Sequence, residues 1–236
     1  DRRQRQMCIR DRAVVKNLPS GVHKLSVLVD NSFSEASALH VENDYQSYGG
    51  ISRGVMLEQL PKHYIKQLHF TPVCKDDTWY AQLELVIASL DGKPWKGKVS
   101  VSLKGCDDVN ENVLYTQSCS TGAGELVLKS DLIACENAKP WAPEHPTLYM
   151  LSAQLEDEDG KVIDDLTDRV GFREVRTQGK DILLNGKKLQ IKGFCRHEDH
   201  PQFGCALPLS AIMQDLQLAR DMGALSLIHI SEPTRP

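Results

Sequence analysis

The sequence predicts a mainly β protein of antiparallel β-sandwiches, followed by the opening strand, loop and helix of an α/β array. Three observations support this fold class. Apolar and polar residues alternate along short segments through most of residues 13–175, which is typical of half-buried strands. Turn residues separate these segments at the spacing of sandwich strands. After Val175 the pattern changes to a tight hairpin and then to a helical period.

The first predicted strands lie before residue 70. Residues 25–29 alternate apolar side chains and form one candidate strand, and residues 55–60 form a second that Pro61 stops. Thr71-Pro72 is predicted to be a boundary between two sandwiches, because proline punctuates regular structure.

The strands of the second sandwich have the clearest pattern. Residues 79–88 are apolar on both faces, as in the middle of a sandwich sheet. Further strands are predicted around alternating apolar residues, namely Val99, Val101 and Leu103, then Leu126 and Leu128, then Tyr149, Leu151, Ala153 and Leu155. Turn signals separate them at Asp91-Gly92, Gly122-Ala123-Gly124 and Asp159-Gly160.

A hairpin and a helix follow Val175. Asn185-Gly186 is a tight-turn dipeptide, so residues 181–184 and 188–192 are predicted to be the two arms of a hairpin. For the helix, Ser210 is the predicted N-cap and Gly223 the residue that ends it. The predicted apolar face consists of Ile212, Leu216, Ala219 and Met222.

Composition excludes several classes of function. The chain has 236 residues and a net charge of −4, and nucleic-acid binding calls for a basic surface instead. No run approaches 18 apolar residues, so no membrane-spanning helix is predicted. The seven cysteines form no Cys-x-x-Cys pair, which favours free thiols in a reducing compartment and therefore a cytoplasmic location. No cofactor and no metal ion is predicted.

Both ends of the chain differ from the rest. Residues 1–12 hold five arginines and two aspartates but no apolar stretch of the kind that a secretory signal has. Together with residues 225–236 they resemble translated sequencing-adapter read-through. We therefore expect a non-native leader at 1–12, a non-native tail at 225–236, and an internal piece of a longer protein between them.

The densest group of chemically versatile side chains lies in residues 192–204, just after a predicted strand. Three interpretations are open on the residues alone. His197, Asp199 and His200 could bind a metal ion, although their spacing matches no standard ligand pattern. The segment could instead be a solvated charged loop. It could also be a substrate-contact loop, since loops at strand ends build the active sites of α/β barrels.

Three ordered blocks carry a resemblance to a known family. One comprises Val170-Gly171-Phe172-Arg173, Leu184-Asn185-Gly186-Lys187 and Arg196-His197-Glu198. A second comprises Asn43-Asp44-Tyr45 and Tyr48-Gly49-Gly50-Ile51-Ser52-Arg53. The third is Trp141-Ala142-Pro143-Glu144-His145-Pro146-Thr147-Leu148-Tyr149. Together they resemble glycoside hydrolase family 2 over residues 13–224.

The resemblance implies an order of domains. Residues 13–70 would be the second half of a jelly-roll sugar-binding domain, 71–175 an immunoglobulin-like β-sandwich, and 176–224 the start of a catalytic TIM barrel. It also implies a retaining β-glycosidase that uses two glutamates. In the family both glutamates lie on later barrel strands, so no catalytic residue is assigned and the fragment itself is expected to be inactive.

The resemblance further implies the substrate and the assembly. The expected substrates are β-glucuronides or β-galactosides, and the full-length protein is expected to be a homo-oligomer. An alternative function is a non-catalytic β-sandwich module for carbohydrate binding or adhesion.

Two residues match substrate-contact positions of the family. Asp44 precedes Arg53 by the family's spacing and could accept hydrogen bonds from sugar hydroxyls, or it could serve an Asx-turn or a salt bridge. His197 matches a sugar-contact histidine, or it could be oriented by Glu198. Cys195 departs from the family, which more often has asparagine there. Arg53 is expected to tie the jelly roll together.

Overall fold

The structure is a computed structural model that describes residues 14–16, 18–30, 32, 48–106, 111–122, 124–196 and 199–228. It is mainly β, as predicted. In chain order the elements are β1 (His63–Lys75), β2 (Thr78–Ser89), β3 (Trp95–Gly105), β4 (Glu111–Thr121), β5 (Leu126–Lys129), β6 (Ile133–Ala134), β7 (Tyr149–Asp157), β8 (Val162–Val170), β9 (Val175–Gln178), β10 (Asp181–Leu184), β11 (Lys187–Lys188), β12 (Gly193–Cys195), α1 (Leu209–Asp221) and β13 (Ser226–Ile228).

The chain divides into two compact units. The sandwich unit is Glu58–Gln190, and the loop–helix unit combines Asp1–Leu57 with Ile191–Pro236. Over the part of the chain that the structure describes, no helix is long and apolar enough to cross a membrane.

The sandwich unit contains two antiparallel sheets with one shared core and a smaller three-stranded sheet of order β11-β10-β9. The first has the order β1-β2-β5, with β6 also paired to β2, and the second has the order β4-β3-β7-β8. The alternation that predicted β3 is confirmed, because Val99, Val101 and Leu103 are buried while Ser100 and Ser102 between them are only partly covered. Successive side chains of a strand point to opposite faces, so one face of each sheet faces the core.

Phe172 lies at the centre of this core and is fully buried. Its ring meets the rings of Phe70, Trp79 and Tyr149 edge-on, with centroids 5.3, 5.8 and 5.2 Å away. Such edge-to-face pairs are the favourable aromatic arrangement. Because Phe70 and Trp79 belong to one sheet and Tyr149 to the other, this side chain joins the two sheets.

Two of the predicted strands are wrong. Residues 25–29 and 55–60 are described but form no strand, and all of their apolar side chains except Leu60 are exposed, Val27 by 58% and Leu57 by 98%. An alternating pattern becomes a strand only beside another strand that takes up its backbone hydrogen bonds. The described residues offer these two segments no such neighbour.

The expected boundary at Thr71-Pro72 falls inside β1, which runs through it without a break. Pro72 faces Ala81 of β2, and β1 has no second neighbour in its sheet among the described residues. Proline is tolerated on such an edge strand, because the N–H that it lacks is not needed for pairing on the open side.

The predicted hairpin is confirmed at Asn185-Gly186. Leu184 pairs with Lys187 around this two-residue turn, and both turn residues have positive φ, 51° and 75°, as a type I′ turn requires. The second arm is shorter than expected and covers only Lys187–Lys188.

Asn185 also attaches this hairpin to the rest of the sandwich unit. Its Nδ2 donates to the Trp141 carbonyl at 2.9 Å, and its Oδ1 accepts from the Glu174 N–H at 2.9 Å. Trp141 in turn donates its backbone N–H to the Phe172 carbonyl at 2.8 Å. Three of the motifs that carried the family resemblance therefore meet in one place.

The loop–helix unit contains a strand, a helix and a second strand. β12 and β13 pair in parallel, and α1 connects them, which is the βαβ arrangement. The strand Ser226–Ile228 lies within residues 225–236, the segment expected to be a non-native tail. Apolar Leu227 and Ile228 follow the helix at the point where such a unit returns to its sheet.

The helix ends as predicted but begins differently. Gly223 has a φ of +76°, and N–H groups of Gly223 and Ala224 bond to carbonyls of Arg220 and Ala219, which is a Schellman ending. The predicted N-cap at Ser210 is wrong. Pro208 occupies the cap position, and no side chain caps the helix, because proline has no side-chain oxygen that could accept from the first N–H groups.

Candidate functional site

The candidate site is the segment Arg196–Cys205, which follows β12 and which we call the β12 loop. It leaves the carboxyl end of a parallel strand, the end at which α/β barrels build their active sites. His197 and Glu198 lie outside the described residues, as does Asp44, so their roles as substrate contacts stay predictions.

An ion pair holds the beginning of the β12 loop. The guanidinium of Arg196 meets Asp215 Oδ2 on α1, with Nε at 3.0 Å and Nη2 on the same oxygen. The Arg196 side chain is only 9% exposed, whereas that of Asp215 is 43% exposed. Because the arginine is largely removed from water, breaking this pair is expected to cost more than breaking an exposed surface ion pair.

Tyr48 holds the middle of the β12 loop. Its hydroxyl donates a hydrogen bond of 2.7 Å to Asp199 Oδ1, across 151 positions of sequence. This bond to a carboxylate raises the pKa of Tyr48 above its usual value. The hydroxyl therefore stays protonated, and remains a donor, throughout the neutral pH range.

The end of the β12 loop is a tight turn that lies against Tyr48. His200 and Gly204 exchange backbone hydrogen bonds of 3.0 and 2.8 Å, and Gly204 has a φ of +54°. A Cβ at position 204 would lie 3.0 Å from Cε1 of the Tyr48 ring. Glycine is favoured here both by the left-handed backbone and by the close approach of the ring.

Arg53 binds the last residue of the β12 loop. Its Nη1 donates to the carbonyls of Cys205, at 2.9 Å, and of Ser52, at 3.1 Å. The structural role expected for Arg53 is thus present, but the described bond reaches the β12 loop rather than tying a jelly roll together. The contacts of Tyr48 and Arg53 with this loop were not visible in the spacing of the sequence, because Asp199 and Cys205 are 151 and 152 positions away from them.

The metal hypothesis gains no support from the described residues. No group of three histidine, cysteine, aspartate or glutamate side chains there could hold a metal ion. Asp199 accepts the Tyr48 hydroxyl, and His200 Nδ1 accepts the Gln202 N–H at 3.1 Å. Both of these proposed ligands have local partners instead. Cys195, at the end of β12, is exposed.

The chain thus has a β-sandwich followed along the sequence by a βαβ unit, and comparison with known families identifies both. The model of glycosyl hydrolases family 2 matches residues 63–173, and the TIM barrel domain of the same family matches residues 175–229. The chain belongs to glycoside hydrolase family 2.

Two curated relatives have the names of glycosidases. A Formosa agariphila protein named "Putative beta-glucuronidase" is 30% identical over 89% of this chain, and a β-galactosidase of Kluyveromyces lactis is 29% identical over 89%. The chain spans 25% and 22% of the length of these two proteins, which is about a quarter.

Solved structures are similar as well. The chain is 50% identical to a β-galacturonidase of Eisenbergiella tayi bound to galacturonate, with a TM-score of 0.77 over 86% of this chain and 36% of that one. It is 21% identical to β-glucuronidase 2 of Bacteroides uniformis, with a TM-score of 0.75 over 88% of this chain and 26% of that one. The second likeness shows the fold alone.

Proposed function

We propose that the whole protein is a retaining β-glycosidase that hydrolyses β-galacturonides. The observation that carries the proposal is the 50% identity, over 86% of the chain, to an enzyme of that name whose structure holds galacturonate. β-Glucuronides and β-galactosides, the substrates expected from the sequence, are the competing possibilities. A non-catalytic module is disfavoured by the match to the family's barrel domain.

The chemistry of such an enzyme needs two carboxylic acids about 5–5.5 Å apart, one as nucleophile and one as acid and base. We assign neither role within this chain. Asp44 and His197 are proposed to contact the sugar. The β12 loop is proposed to line the sugar-binding site. The chain by itself is proposed to be inactive. A cytoplasmic location and a homo-oligomeric assembly are proposed for the whole protein on the grounds given by its sequence.

Uronides and neutral glycosides differ in a way that kinetics can resolve. A site built to pair the sugar's carboxylate leaves its own polar groups unsatisfied when a neutral galactoside binds, which costs roughly a factor of 10⁴ in specificity. Galacturonides and glucuronides differ only in the orientation of the 4-hydroxyl, so one mispaired hydrogen bond of about 1–3 kcal/mol separates them.

The test measures kcat/KM of the full-length protein on the aryl β-galacturonide, β-glucuronide and β-galactoside. We expect the galacturonide to be hydrolysed best and the galactoside worst. The 236-residue chain, assayed in parallel, should give no turnover above a boiled control. Preference for the glucuronide or the galactoside would contradict the proposed substrate, and no turnover of any of the three would contradict the enzyme.

A further inference from the structure

Three contacts connect residues 48–53 to residues 199–205 of the β12 loop. The Tyr48 hydroxyl donates to Asp199, the Tyr48 ring lies against Gly204, and the Arg53 guanidinium donates to the Cys205 carbonyl. They differ in kind, since one is a bond to a carboxylate, one is a ring on backbone, and one is a bond to a carbonyl. Three different contacts on one short turn leave it little freedom.

We infer that Tyr48 is a positioning residue, whose hydroxyl holds Asp199 and with it the β12 loop in the arrangement that substrate binding needs. This inference rests on the proposed function for its link to the sugar. The claim that Tyr48 holds the loop does not depend on the proposed function, and hydrogen exchange tests it separately from activity.

The beginning and the middle of the β12 loop are held by different parts of the chain. Arg196 is fixed by Asp215 on α1, and only two residues separate it from Asp199, which Tyr48 fixes. The β12 loop is therefore attached to two different parts of the chain, at Arg196 and at Asp199. Releasing Asp199 removes one of these two attachments.

Loss of the Tyr48–Asp199 bond is expected to destabilise the protein less than loss of the Arg196–Asp215 ion pair. Breaking an ion pair whose arginine is largely buried is expected to destabilise the protein. Replacing Tyr48 by phenylalanine removes a single oxygen and keeps the ring on Gly204, while Asp199 is exposed enough to bond to water instead. The variant therefore separates positioning from folding.

The experiment compares Tyr48→Phe with wild type in the full-length protein. Tyr115→Phe is the matched control, because it removes the same oxygen from a hydroxyl that contacts Gln117 in the sandwich unit. Hydrogen exchange is followed at the backbone amides of residues 200–206, and kcat and KM are measured on the aryl β-galacturonide.

We expect faster exchange at residues 200–206 in Tyr48→Phe and a fall in kcat/KM of about tenfold, carried mainly by KM. The melting temperature of Tyr48→Phe should equal that of wild type. The Tyr115→Phe control should have wild-type exchange at residues 200–206 and wild-type kcat and KM. The double variant Tyr48→Phe with Asp199→Ala should lose no more than Asp199→Ala alone, because the two single changes remove the same contact.

Three outcomes are informative in different ways. Unchanged exchange at residues 200–206, or losses that multiply in the double variant, would overturn the inference. Faster exchange with wild-type kcat and KM would overturn the link between the loop and the substrate. Faster exchange in a protein whose wild type hydrolyses no β-glycoside would overturn the proposed function while leaving the holding of the loop in place.

Discussion

Truncation of Phe172 is expected to cost the sandwich unit about 3–5 kcal/mol of its free energy of unfolding. The side chain is fully buried, and an aromatic side chain buries roughly 200 Å², worth about 5 kcal/mol at ~25 cal/mol per Å². Phe172→Ala keeps one methyl group but leaves a cavity, so the loss falls in the range measured for such changes. It is a large share of the 5–15 kcal/mol typical of a domain.

A more conservative change separates volume from ring geometry. Phe172→Leu keeps much of the apolar volume but loses the three edge-on contacts, which are worth about 0.5–1.5 kcal/mol each and do not add in full. We expect it to cost about 1–2 kcal/mol. Val113→Ala, at a side chain that is 68% exposed on β4, is the control and should change stability by less than about 0.5 kcal/mol.

Denaturant unfolding followed by tryptophan fluorescence measures these losses. All three tryptophans of the chain, Trp79, Trp95 and Trp141, lie in the sandwich unit, so the signal reports on this unit. A loss for Phe172→Ala no larger than that of the Val113→Ala control would refute the reasoning. Equal losses for the leucine and alanine variants would show that the lost packing volume does not cause the loss of stability.

The remaining predictions concern a backbone contact, a carboxyl group and the proposed sugar site. Gly97→Ala should destabilise the sandwich unit by about 1–3 kcal/mol in denaturant unfolding, because its Cβ would collide with the backbone of β7, whereas Gly122→Ala, which meets open space, should not. Burial raises the pKa of Asp164, whose Oδ2 accepts the Ile65 N–H. When the pKa of a carboxyl group is higher in the folded protein than in the unfolded one, the protein loses stability as the pH rises past the pKa of the unfolded state. Asp164→Asn should therefore raise the melting temperature at pH 7, and the gain should disappear below about pH 4. In the full-length protein, Asp44→Asn should lower kcat/KM on the preferred glycoside tenfold to a hundredfold, about 1.5–3 kcal/mol, with an unchanged melting temperature; wild-type kinetics with lower stability would make Asp44 structural.

Local signals in the sequence predicted the parts of the fold that depend on neighbouring residues. Asn185-Gly186 predicted its turn, because few other dipeptides adopt two positive φ values without strain. Gly223 predicted the end of the helix for the same reason. The alternation of Val99, Val101 and Leu103 predicted β3, because burial of one face of a strand has a period of two.

Signals that depend on distant partners failed or were absent. Residues 25–29 have the alternation of a strand, but a strand also needs a neighbour, and alternation does not report one. Pro72 suggested a break, yet its place on the edge of a sheet makes it harmless. In the candidate site, the bond between Tyr48 and Asp199 joins residues 151 positions apart, and nothing in either local sequence specifies the other.

The stereochemistry of hydrolysis tests the central claim most directly. The measurement is the proton NMR spectrum of the sugar first released by the full-length protein from an aryl β-galacturonide, recorded before mutarotation. A family 2 enzyme that works through a covalent glycosyl intermediate inverts the anomeric carbon twice, so the account predicts the β anomer of galacturonate. First release of the α anomer would contradict it.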